Sequence, residues 1–134
     1  MIPIKDLRIG DLVKTTTRNP ILEKGSICKV VLIDALINSI IVQKSDVDVC
    51  RCLVKEEIEG IRLTPDILEK NGWEQEYYAP IIYGHIGHDI EISFLQTSKR
   101  CSVLLNDISL CEIQYVHQLQ HILWALGEDA NLKI

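Results

Sequence analysis

Much that would announce a function is missing from this sequence. No apolar run approaches the roughly 20 residues that a membrane-spanning helix needs. No charged-then-apolar-then-small segment opens the chain as a secretion signal would. Internal repeats, low-complexity tracts and an obvious linker are also lacking. So is any basic excess: the net charge is −5, with nine Lys/Arg against nine Asp/Glu in residues 1–60 and five against ten in residues 61–134. Nucleic-acid platforms draw on clustered Lys and Arg, and neither half reads as one. A nucleic-acid-associated protein using the first half is the rival reading, and it would rest on Lys14 and Arg18.

The five cysteines, Cys28, Cys50, Cys52, Cys101 and Cys111, are odd in number and lack the spacing of a disulfide framework. With no leader, they imply a reducing cytoplasm and thiols that behave as small buried hydrophobes. No membrane association is expected.

What is present is core material. Hydrophobic residues make up 47% of 134, which fits one domain or two very small lobes. A chain of this size buries roughly two-thirds of its unfolded surface. The first sixty residues read as strands: a Gly10-Asp11 turn before a short apolar segment, then Ile27 to Ile33, Ile40 to Val42 and about Val49 to Val54. Branched side chains suit a pleated surface, and Asn38-Ser39 supplies the break of a hairpin. Short strands in such number suggest a small barrel, which removes exposed edges.

Thr64-Pro65 then opens a two-turn helix that Asn71-Gly72 stops. Strands resume at Tyr78 to Tyr83, Asp89 to Phe94 and Cys101 to Leu105. Val116, Leu119, Ile122, Leu123 and Leu126 form the apolar stripe of a last helix. Its start is open, because Ser109 to Glu112 matches a capping box while Leu110 to Ile113 could equally finish a strand. The expected fold is α+β and mostly β: an SH3-like barrel over 1–60, then over 61–134 a short helix and a small antiparallel sheet packed against a C-terminal helix, sharing an interface with the barrel.

Two phrases carry a resemblance. Ile61 to Trp73, reading IRLTPDILEKNGW, and Tyr115 to Leu126, opening YVHQLQH, resemble motifs of an uncharacterised family of small proteins from gut bacteria, their phages and mobile elements. The Leu7 to Val13 opening is similar as well, and the first half resembles an SH3-like barrel. The resemblance implies no activity, since that shape hosts many binding functions. The chain departs from the second motif at His121, where the family phrase has Asn.

Catalytic constellations can be weighed residue by residue. His117 and His121 stand four apart on a helix and could share a metal ion, making a metal-dependent hydrolase the second rival. Zinc would need further ligands. His85 and His88 are candidates, as is Cys50-x-Cys52, whose one-residue gap is read as sending the thiols to opposite faces of a strand. Gln118 stands where a zinc protease would carry its Glu. Cys101 and Cys111 sit in apolar runs without the glycines that expose a nucleophile, and are expected to be inert. The Gly84 to His88 stretch lacks the Lys of a phosphate loop.

Gln114, His117, Gln118 and His121 fall at i, i+3, i+4 and i+7, one polar but uncharged stripe. Amide and imidazole groups suit hydrogen bonds, either to a partner protein or within the chain. The expected function is a non-catalytic binding or accessory module, with no cofactor, no metal and no catalytic residue. Its partner would be an unknown protein or a second copy, the latter through Tyr77, Tyr78 and Trp124.

Overall fold

The computed structural model describes residues 2–16, 22–44, 50–78, 81–85, 89–95 and 99–134. The chain divides into two compact units, Met1–Ile61 and Arg62–Ile134. The described residues are mostly strand, with two antiparallel sheets and two α-helices among them, so the class is α+β. No helix among the described residues is long and apolar enough to cross a membrane.

The first unit holds β1 (Leu12–Thr15), β2 (Ile27–Asp34), β3 (Ser39–Lys44), β4 (Cys50–Val54) and β5 (Ile58–Gly60), with a 3-10 turn at Lys55–Glu57 before β5. Their order is β4-β3-β2-β1-β5. Pairing ends at β4 and β5, so the sheet is open where a closed barrel was expected. β5 is three residues long, and all of them are engaged by β1.

The Gly10-Asp11 pair works as a joint. Asp11 is 2% exposed. Its carboxylate accepts from the Arg8 amide at 2.8 Å, and its carbonyl from the Val30 amide at 2.8 Å. Gly10 adopts φ +96° there.

A bulge between Val30 and Leu32 alters the parity of β2. Val30 pairs with Val42 and faces the core, yet Ile33 also reaches it, because the extra residue shifts the alternation. Leu32 is thereby turned outward, opposite Ile41.

The second unit opens with α1 (Pro65–Lys70), where the Thr64 hydroxyl accepts from the Ile67 amide. A five-stranded meander follows: β6 (Trp73–Tyr78), β7 (Ile81–His85), β8 (Ile90–Phe94), β9 (Cys101–Leu105) and β10 (Ile108–Ile113), in the order β10-β9-β8-β7-β6. α2 (Val116–Ala125) ends the regular structure. Tyr83, Ile92 and Val103 form one buried row across β7, β8 and β9. The Tyr83 hydroxyl donates to Glu69 at 3.0 Å, tying β7 to α1.

Two expectations change here. The single strand Tyr78 to Tyr83 is instead the junction of two strands, β6 and β7, which pair with each other. Residues 79–80, where the one strand was expected to continue, lie outside the described residues. Ser109 to Glu112 starts no helix but lies within β10, which is joined to β9 by Asn106 and Asp107 at φ 49° and 64°. Two successive residues at positive φ make a type I′ turn, whose twist matches that of paired strands.

Gly72 closes α1 at φ +83°, and a Cβ built there would lie 3.1 Å from Nε2 of His85. Gly72→Ala is therefore expected to lower unfolding free energy by about 1–2 kcal/mol, the cost of a left-handed non-glycine residue, read from denaturant midpoints. An unchanged midpoint would contradict the strain assigned to this turn.

Candidate functional site

The polar stripe of α2 begins as a cap. The Gln118 side-chain oxygen accepts from the amides of Gln114 at 2.8 Å and Tyr115 at 3.0 Å. It thereby satisfies two backbone donors at the helix entry, the reciprocal half of a capping box. The Gln114 carbonyl accepts from the Leu63 amide at 3.0 Å, fixing the chain before α1 beside the chain before α2.

His117 is only 4% exposed and stacks on Tyr115 with ring centroids 5.7 Å apart. His121, half-buried, meets His117 edge to face at 5.8 Å. Gln114 thus stands before the helix rather than on its stripe, while the Gln118 side-chain oxygen is spent inside the fold and His117 is buried beside His121. Among the described residues no group of three or more His, Cys, Asp or Glu is placed to hold a metal ion, whereas zinc takes three or four protein ligands. His85 stands away from the stripe, edge-on to Trp73 at 5.6 Å. His88 lies outside the described residues.

The cleft beside His85 is lined by Asn71, Trp73, Leu123, Asp129, Asn131 and Leu132 and measures about 170 Å³. Small-molecule sites run to roughly 300–1,000 Å³, so this one is undersized. The C-terminal tail edges it. Asn71 donates to the Lys133 carbonyl at 2.8 Å and accepts from its amide at 2.7 Å, and Gln120 donates to the Ala130 carbonyl at 3.1 Å.

Of the two residues named for nucleic acid, Lys14 forms an ion pair with Glu59 at 3.1 Å across the β1–β5 ladder. Arg18 lies outside the described residues.

The thiols divide by environment. Cys28 and Cys101 are buried, while Cys50, Cys52 and Cys111 are exposed. Burial pushes the Cys101 thiol up to about 11, against a smaller lowering by the Arg62 guanidinium. Cys111 departs from the expected inert setting, because β10 is exposed along all but its last residue. Cys50 and Cys52 correct a second reading. Side chains alternate with period two along a strand, so residues i and i+2 of β4 share a face rather than opposing each other, and both are exposed.

That shared face is the feature sequence reading missed. Cross-strand rows place Leu32 beside Ile41 and Ile41 beside Cys52, and Ser39 beside Val54. Exposure is 45% at Leu32 and 41% at Val54, rising to 67% at Ile37 and 97% at Leu36 on the β2–β3 connection. Asp34 accepts from the amides of Leu36 and Ile37, so the polar group of this tip is used to shape it. A shallow cleft of about 220 Å³ adjoins the face at Gln43.

Two outcomes test these assignments. Gln118→Ala should cost about 1–2 kcal/mol of stability, the usual loss for a removed cap, seen in thermal or denaturant unfolding. A neutral result would release Gln118 from its structural role. The Cys101 thiol ionises near 9.0 as an unperturbed group and near 11 when folded. Over that window the unfolded chain holds fewer protons, so stability falls as pH rises. Cys101→Ala should flatten this alkaline slope relative to wild type, and identical slopes would contradict the burial effect. No family model, curated protein or solved structure matches the chain.

Proposed function

We propose that the chain is a non-catalytic binding or accessory module, of the mobile-element or phage kind that its two sequence phrases resemble, with its contact surface in the first unit. Five short antiparallel strands, the last returning to pair with the first, support reading that unit as an SH3-like barrel left open between β4 and β5. The observation that carries the binding reading is the outward face of β2, β3 and β4. Leu32 and Val54 are exposed on it, and Leu36 and Ile37 on the hairpin tip that joins β2 to β3. Single exposed apolar residues are ordinary, but contiguous ones mark interaction surfaces. Leu36, at 97% exposure, contributes almost nothing to the core, so its side chain has no packing role to explain it.

The partner this face fits is a protein presenting its own apolar surface, with the hairpin tip as the element that inserts. Such anchors dominate binding energy when they fill a desolvated pocket. The test is the double variant Leu36→Ser with Ile37→Ser. Its unfolding free energy should stay within about 0.5 kcal/mol of the parent, as for surface changes in general. Recovery of a specific protein with the chain from source-cell extract should fall at least tenfold by quantitative mass spectrometry. Equal recovery with parent and variant would overturn the assignment of this face.

A further inference from the structure

Cysteine is among the most buried residue types, yet Cys50 and Cys52 are both exposed and both free of disulfides. They stand two apart in β4 and project from its outward face, Cys50 beside Gln43 and Cys52 beside Ile41. Their spacing decides what the pair can do. Alternate residues on a strand lie about 6.7 Å apart, whereas a disulfide draws its Cβ atoms to about 3.8 Å. Joining these sulfurs directly would pull β4 out of its ladder with β3.

A shared metal ion asks for less. Two metal–thiolate bonds of about 2.3 Å put the sulfurs roughly 4.6 Å apart. Cβ–Sγ bonds leaning toward each other span that gap with the backbone in place. Zinc takes four ligands, and among the described residues no group of three or more His, Cys, Asp or Glu could hold an ion. Thiolates are soft ligands that select Cu(I), zinc and iron–sulfur clusters, and of these Cu(I) is the one that two thiolates satisfy. A soft ion content with two ligands suits the pair.

We propose that Cys50 and Cys52 form a two-thiolate site for a soft monovalent cation of the Cu(I) or Ag(I) class. Both thiol protons leave to solvent on binding, so the loaded site carries one net negative charge. Ile41 and Leu32, in the same row as Cys52, give the ion an apolar flank. Gln43, beside Cys50, offers an amide that can donate to a thiolate.

The experiment is an anaerobic titration of the reduced full chain against Cu(I) held by a chromophoric chelator, with Ag(I) as a second series. One ion per chain should be withdrawn from the chelator. Cys50→Ser and Cys52→Ser should each weaken binding at least 100-fold, and Cys111→Ser should not. Cys52→Ser combined with Val54→Cys keeps the number of exposed thiols but moves the second to about 13 Å from Cys50. It too should lose the site while keeping the parent's circular dichroism. In wild type, the bound ion should protect Cys50 and Cys52 from alkylation, mapped by peptide, and leave Cys111 reactive. Undiminished binding in any of the three variants expected to lose it would overturn the proposal. So would an ion left with the chelator, one ion per two chains, or alkylation of Cys50 and Cys52 at the unloaded rate.

Discussion

The two-residue period of the β-strand is the constraint from which most of this molecule follows. Every side chain on a paired strand must face one way or the other, and a single extra residue reverses the assignment beyond it. In β2 the bulge after Val30 does this. It brings Ile33 to the core beside Ile40 and sends Leu32 out beside Ile41. Had the alternation run unbroken, Leu32 would have been a core residue and Ile33 a surface one. The exposed apolar face is thus a direct product of local strand geometry, and so is the placing of both β4 thiols on it.

The polar side chains that invite functional readings are mostly occupied in construction. The Asp11 carboxylate closes the first turn on the Arg8 amide. Gln118 closes the entry of α2. Tyr83 and Glu69 join sheet to helix, and Gln120 holds the tail. A buried polar group costs free energy until it is hydrogen-bonded. A small fold with many short elements spends amides and carboxylates in this way.

How much of this was legible depended on whether the signal was local. The α1 helix could be read from Thr64, Pro65 and Gly72, because each acts within one turn of chain. β2, β3 and β4 could be read from their branched residues, and the apolar stripe of α2 from its spacing, whereas the three-residue β5 carries no such signal. The β6–β7 hairpin could not, since Glu74, Gln75 and Glu76 carry no strand signal and β6 is specified by its partner β7. Tertiary pairing overrides propensity at such places. The start of α2 was open because Ser109 to Glu112 fits a capping box while Leu110 to Ile113 fits the end of a strand, and the pairing of β10 with β9 decides for the strand. The bulge in β2 leaves no mark in sequence, so the outward face stayed hidden. The error at Cys50 and Cys52 was one of geometry alone: the residues were seen, and their parity was misjudged.

Asn71 and Gly72 carry a consequence for the protein's ageing. An asparagine followed by glycine loses its amide when the next backbone nitrogen attacks the side-chain carbonyl. Here that nitrogen donates to the Glu69 carbonyl at 3.1 Å. The Asn71 side chain is pinned to the carbonyls of Ile67 and Lys133. The reaction must wait for this corner to open. Once it happens, a carboxylate faces two carbonyl oxygens it can only repel, and the tail keeps only the Lys133 amide as its bond to this corner. Deamidation at this one position therefore records, irreversibly, how often α1 and the C-terminal strap have come apart.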